Sequence, residues 1–287
     1  PDHWPAHVAG HPPAATVTFV LLDRIGLGGG GWAAVWVLTV GTSAATAALV
    51  TLRALADEGT ARRAAPFLVL APMAIWAGVS ADGYFTAVAA WSLALLALAA
   101  TRGSARATGT AAHGSTGAAH RPRAVWVPVG LAFGSGLLLG LTFYLSYGLA
   151  LMALPAAGVL LLTRTLRPLA PLLAGTAVVP LLFTLAGFNW WEAYQLLLTR
   201  YDQGAGGIRP YGYWLWANPA CTVVITGLAT VAGLRRACRL MPGALRRLSP
   251  RLRPGGPPPA VRGRPGHTAP TATDRLIIFV LFALLAV

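Results

Sequence analysis

The sequence contains no lysine, and its 287 residues include only eight acids and two cysteines. Charged residues make up 10% of the chain, against roughly 25% in a soluble globular domain. With 56% hydrophobic residues and a mean hydropathy of +0.62, it cannot clothe a water-facing surface. Two cysteines, Cys221 and Cys238, at one predicted helix support neither a disulfide framework nor a zinc site. No phosphate loop, GxSxG or dinucleotide fingerprint is present. His3, His7 and His11 are spaced four apart, but Pro5, Pro12 and Pro13 break the helix that would align them, so no metal is expected. No cofactor is expected either.

What the chain does have is apolar runs near the roughly 20 residues that cross a bilayer. Candidate spans are 32–52, 64–80, 83–101, 124–143, 147–163, 168–188 and 212–233, with another starting near Leu276. The expectation is an all-α polytopic transmembrane helical bundle of seven or eight spans. The chain starts at Pro1 without methionine and ends in an apolar run at Val287, which reads as a fragment of a longer protein truncated at both ends. Residues 14–28 are apolar but short, and they carry Asp23 and Arg24. They suit a helix lying at the membrane surface. The expected organisation is an external segment with that helix at 1–31 and a transmembrane core at 32–235 with an external loop at 189–211. A basic, Pro-rich cytoplasmic loop at 236–275 and a further helix at 276–287 follow.

The net charge of +14 would suit nucleic acid, but its placement argues otherwise. Nineteen of the 22 arginines fall in the loops 53–63, 102–123, 164–167 and 235–275, all on one side of the membrane. The positive-inside rule makes that side cytoplasmic. The chain is thus read as a multi-pass plasma-membrane protein whose partner is a lipid bilayer, with no nucleic acid. The opposite, external side carries five of the eight acids and a dense group of tryptophans and tyrosines.

Four external features carry chemistry. Gly10-His11-Pro12-Pro13 opens a helix whose first N–H groups suit an anion, with His11 beside them. A helix-start turn would look the same. Asp82, between two spans, is either a cap or a general base facing an external cavity. Tyr144-Leu145-Ser146-Tyr147-Gly148 breaks a long apolar run where an external turn is required. The loop 189–211 carries Arg200 and Arg209, suited to phosphate, beside Trp190, Trp191, Glu192 and Tyr211. The same rings would serve as an interfacial belt.

The sequence of an external His-Pro-Pro, a surface helix, a span, the turn Ala61-Arg62-Arg63-Ala64, another span and then Asp82 resembles the GT-C fold glycosyltransferases. These are the polyprenyl-phosphate-sugar enzymes related to protein O-mannosyltransferases and the aminoarabinose transferase of lipid A. Gly136-Leu137-Leu138-Leu139-Gly140-Leu141 resembles that family's later Gly-Leu-rich span. Arg209-Pro210-Tyr211-Gly212-Tyr213 looks like actinobacterial members acting on cell-envelope glycans, such as the methylthioxylose transferase group. The resemblance implies a GT-C-like bundle that moves a sugar from a polyprenyl-phosphate donor to a glycan or lipid acceptor on the outer face. Asp82 would be catalytic, while His11, Arg200 and Arg209 would bind the donor phosphate. Trp190, Glu192 and Tyr211 would contact the acceptor or sugar. The family places its main acid upstream of the Pro-Pro motif; here Asp2 stands nine residues before His11, and that loop is not whole. Histidine replaces the more common lysine of the motif, and it is largely neutral at pH 7. A lipid or solute transporter, or a membrane scaffold without catalysis, remains the alternative.

Overall fold

The computed structural model describes residues 11–78, 80–112, 123–204, 207–208, 210–228, 231–236 and 238–239, with the backbone alone at 103–112 and 123–125. The described residues form helices and no strand. In chain order these are α1 (Ala14–Arg24), α2 (Gly30–Leu55), α3 (Glu58–Val69), α4 (Met73–Ala77), α5 (Asp82–Ala112) and α6 (Arg123–Leu145). A 3-10 helix (Tyr147–Met152) then leads into α7 (Ala153–Thr163), α8 (Leu169–Leu185), α9 (Trp190–Gln203) and α10 (Tyr211–Thr226).

Helix α5 is the centre. It packs between α2 and α6, touches α7, and is screened from α8 by α6. Its alanines make this possible: Ala87, Ala94, Ala97 and Ala100 are all fully buried. Lipid is as apolar as leucine, so such contacts rest on close packing and hydrogen bonds between helices. Both are present. Trp91 Nε1 donates to Ser43 Oγ at 3.0 Å, tying α5 to α2. Ser135 Oγ donates to the Ser92 carbonyl at 2.6 Å, tying α6 to α5. The α6–α8 seam is built on glycine. A side chain on Gly136 would strike the Leu172 carbonyl, and one on Gly175 would strike that of Phe133. A Cβ on Gly140 would lie 2.6 Å from the Thr176 carbonyl.

Three helices are long and apolar enough to cross a membrane: Gly30–Leu55, Asp82–Arg102 and Trp126–Leu145. Leu169–Leu185 and Trp190–Gln203 make a fourth if they count as one span bent by 74°. This supports a multi-pass helical membrane protein, but the seven or eight spans expected are not all present as such. The run 64–80 is divided at 70–72: α3 continues past Pro66 to Val69, and Pro72, which cannot donate to the helical ladder, stands before the short α4. The run 147–163 starts as a 3-10 helix and is shorter than a regular span. Helix α10 stops at Gly227, whose φ of 85° ends it within 212–233. The run beginning near Leu276 lies outside the described residues. Two expected loops are also partly helical: α5 continues to Ala112 inside 102–123, and α9 occupies much of 189–211.

The short helix expected near 14–28 is present as α1. Gly26, at φ 86°, ends it, with Leu27 N–H bonded to the Leu22 carbonyl at 2.9 Å and Gly26 N–H to that of Asp23 at 3.0 Å. This left-handed termination satisfies carbonyls that the helix end leaves without partners.

The core divides by chemistry. One end is aliphatic, where Leu55, Leu96, Ala100, Val159, Leu162 and Leu172 pack together. The other is aromatic, where Tyr84, Phe85 and Tyr144 gather Phe19, Trp36, Phe183, Phe188 and Trp190 around them. Arg53, Arg62 and Arg63 flank the chain reversal after Leu55, and Arg164 and Arg167 lie between Leu162 and Leu172. These arginines therefore belong to the aliphatic end.

Candidate functional site

An aromatic-walled groove opens at the second end, and two capping events create it. Helix α8 ends at Gly187, φ 88°, whose N–H bonds the Thr184 carbonyl at 2.9 Å. The next N–H, of Phe188, bonds the Phe183 carbonyl at 2.9 Å. Only glycine enters this left-handed conformation without steric cost. Asn189 then begins α9: its Oδ1 accepts from Trp191 N at 3.1 Å and Glu192 N at 3.2 Å. Stop and start lie two residues apart, so the chain turns by 74°.

The turn delivers Trp190 to the end of α6. Its indole Nε1 donates to the Phe143 carbonyl at 2.9 Å. That carbonyl lies in the last turn of α6, where carbonyls lack helical partners. Trp190 stacks on Tyr194 with centroids 5.7 Å apart, and Tyr147 meets it edge-on at 4.9 Å. Deeper, Tyr144 stacks on Phe183 at 4.4 Å. Along α9 the half-buried residues are Trp190, Ala193, Tyr194, Leu197 and Arg200, one helical face; Trp191, Leu196 and Tyr201 are exposed.

Between these elements lies a groove of about 650 Å³, lined by Phe143, Tyr144, Thr184, Phe188, Asn189, Trp190, Trp191 and neighbours, with no charged side chain among its lining residues. The volume falls in the range of roughly 300–1,000 Å³ usual for small-molecule sites.

His11 and Asp82 belong to the same end. Pro12 is fully buried and His11 half-buried ahead of α1. Ala14, Ala15 and Phe19 of α1 pack into the aromatic cluster with Tyr84 and Phe85, which follow Asp82 closely in α5. Thr18 Oγ1 and Tyr84 Oη lie 3.2 Å apart, joining the two helices. Asp82 is exposed in the first turn of α5. It does not cap that helix through its carboxylate. Instead Ser80 Oγ donates to Asp82 Oδ2 at 2.5 Å and accepts from Asp82 N at 3.1 Å. The second carboxylate oxygen has no partner among the described residues. It can accept a proton from a hydroxyl brought to it.

The remaining candidates are scattered. Arg200 is half-buried, ten residues along α9 from Trp190, roughly 15 Å at 1.5 Å per residue. Glu192 is exposed and does not line the groove. Tyr211 starts α10 at 79% exposure, with no ring partner among the described residues. Arg209 lies outside the described residues, as do Asp2, His3 and His7. The sequence reading missed Thr184 and the Gly187–Asn189 pair. Their signal was legible: a glycine and then an asparagine just after an apolar run mark a helix stop and a helix start.

No family model, curated protein or solved structure matches this chain.

Proposed function

We propose that the chain is a GT-C-like membrane glycosyltransferase. It takes a sugar from a polyprenyl-phosphate donor and passes it to a cell-envelope glycan or lipid at the outer face of the plasma membrane. The observation that supports this most is the meeting of three features at one end of the bundle. They are the His11-Pro12-Pro13 start of α1, the open carboxylate of Asp82 and the aromatic-walled groove. The arginines of 53–63 and 164–167 at the opposite end suit a cytoplasmic face, which supports a reading with the groove outside.

In this reading the acceptor hydroxyl attacks the anomeric carbon of the donor sugar with inversion. The bond from that carbon to the phosphate oxygen breaks, and its electron pair leaves with the phosphate. The hydroxyl proton passes to Asp82, and His11 with the first turn of α1 receives the charge on the departing phosphate. Arg200 would join only for a donor long enough to reach the far end of α9.

Transport is the second reading, because the bent pair α8–α9 is a discontinuous helix of the kind that transporters use. The break, 186–189, carries no ionisable residue, which counts against it.

The test is transfer of label from a radiolabelled polyprenyl-phosphate sugar to envelope glycan in membranes. Wild type is compared with Asp82→Asn and His11→Ala. Transfer by wild type that falls about 10²- to 10⁴-fold in Asp82→Asn, with the fold intact, supports the proposal. Equal turnover in wild type and Asp82→Asn removes Asp82 from the chemistry. No transfer from any donor shifts weight to transport.

A further inference from the structure

We infer that the groove between the end of α6 and the start of α9 is a subsite for a neutral sugar ring of the acceptor, with Trp191 as its stacking platform. The inference rests on the glycosyltransferase reading for the word acceptor, but the recognition chemistry stands on the groove itself.

Three observations choose the occupant. The first is charge. No charged side chain lines the groove, so it offers no countercharge to a phosphate or carboxylate. A bound group must be neutral, and the donor phosphate belongs elsewhere.

The second is the free ring. Trp190 is consumed by the fold: its N–H is bonded to Phe143 and it stacks on Tyr194. Trp191 is not. It is 69% exposed and makes a single ring contact among the described residues, with Trp190 at 82°. An uncovered indole face at the lip of a groove suits the C–H face of a pyranose, which is flat, apolar and slightly positive against a negative ring face.

The third is the polar content. A lipid tail asks for walls without hydrogen-bonding groups. This groove is lined by Thr184 and Tyr144, each with a hydroxyl, and by Asn189 with its side-chain amide. Asn189 spends its oxygen on capping α9, and its NH₂ has no partner among the described residues. A donor amide beside an exposed indole and two hydroxyls fits a neutral polyol ring better than an alkyl chain. The sugar-contact role thus moves from Glu192 and Tyr211 to Trp191 and Asn189 at the start of α9.

The test is equilibrium dialysis of the full chain in lipid nanodiscs against labelled neutral tetrasaccharides, mannotetraose and arabinotetraose. The expected result is saturable binding of at least one, weakened about tenfold in Trp191→Ala and largely kept in Trp191→Tyr. Asn189→Ser keeps a helix-capping oxygen but loses the amide donor, so α9 survives and binding falls several-fold. Circular dichroism of each variant separates lost recognition from lost folding. No binding of either tetrasaccharide, or binding indifferent to Trp191→Ala and Asn189→Ser, overturns the inference. Quenching by a brominated alkyl chain that requires Trp191, without sugar binding, also overturns it and makes the groove a lipid channel. Failure here remains distinct from failure of the function. Label transfer that survives Trp191→Ala keeps the glycosyltransferase and discards the subsite. Sugar binding without any transfer does the reverse.

Discussion

The two ends of the helical bundle are packed from different materials. At one, leucine, valine and alanine from α2, α5, α6, α7 and α8 close on each other. The short reversal after α2 is fringed by ions: Glu58 pairs with Arg53 at 2.8 Å and Arg62 at 3.1 Å. At the other, large rings meet edge-on or stacked, and a groove stays open between them. Aliphatic side chains interdigitate without direction and fill space. Rings have preferred angles and rigid outlines, so a cluster of them at the rim of a fold leaves shaped gaps. The first end holds the protein together, and on the proposed function the second provides a surface to bind with. Damage to the first should cost stability, while damage to the second should cost recognition.

The sharpest break of that division is at the seam both ends share. Gly136→Leu or Gly175→Leu forces a side chain into the facing backbone carbonyl, which cannot move aside as a flexible side chain would. The α6–α8 pair should separate, and the folded protein should be lost from detergent extracts by size-exclusion chromatography. A monodisperse peak at the wild-type position would show that the seam tolerates separation.

Next in size is Leu96→Ala, at a fully buried position of α5 in the aliphatic cluster. A Leu→Ala cavity commonly costs about 2–5 kcal/mol, read as a lower denaturation midpoint. Sugar binding below that midpoint should be unchanged. A parallel loss of binding would mean that the two ends are coupled rather than separate.

The same division explains what could be read from sequence. The helical class and the apolar runs that suit a membrane were legible because composition and run length carry them. Span count was not. Pro72 and Gly227 stand where apolar runs that hydropathy alone joins are cut, and the ladder of backbone hydrogen bonds obeys the break. His11 and Asp82 lie at one end of the bundle, since each stands at the start of a helix packed into the aromatic cluster. Glu192 and Tyr211 are polar or aromatic neighbours in sequence, but neither lines the groove: Glu192 is exposed on α9, and Tyr211 is exposed at the start of α10. Only the Gly187–Asn189 turn shows which face of α9 meets the bundle.

A smaller effect sharpens the aromatic side. Trp190→Phe keeps a ring and removes the N–H that satisfies the Phe143 carbonyl. A single hydrogen bond contributes about 0.5–1.5 kcal/mol. The start of α9 should loosen, seen as faster hydrogen exchange at Trp191 and Glu192 amides, with the midpoint of global denaturation hardly moved. Unchanged exchange there would mean that stacking on Tyr194 and Tyr147 holds the helix by itself.

The smallest effect belongs to the ionic fringe and is a matter of pH. Asp57 caps α3, its Oδ1 accepting from Thr60 N at 2.7 Å and its Oδ2 from Thr60 Oγ1 at 2.9 Å. The backbone hydrogen bond from Thr60 is the main cause that holds its carboxyl below the ordinary value, with the Thr60 hydroxyl and the Arg63 charge adding to it. A folded-state value below the unfolded one means that the unfolded chain takes up the proton first as pH falls. The contribution of the cap is therefore complete above an unfolded value of about 3.9, and it is lost as pH drops from there through the folded value. Asp57→Asn retains a capping oxygen but no titrating group. Thermal midpoints of wild type and Asp57→Asn, followed from pH 6 to pH 3, should run parallel above about pH 4. Below that, wild type should fall the more steeply. Because Asp57 is solvent-exposed, the divergence should be slight and confined to the aliphatic end, with tetrasaccharide binding unaffected at any pH where the protein is folded. Parallel curves throughout would mean that the cap contributes equally with its proton on or off.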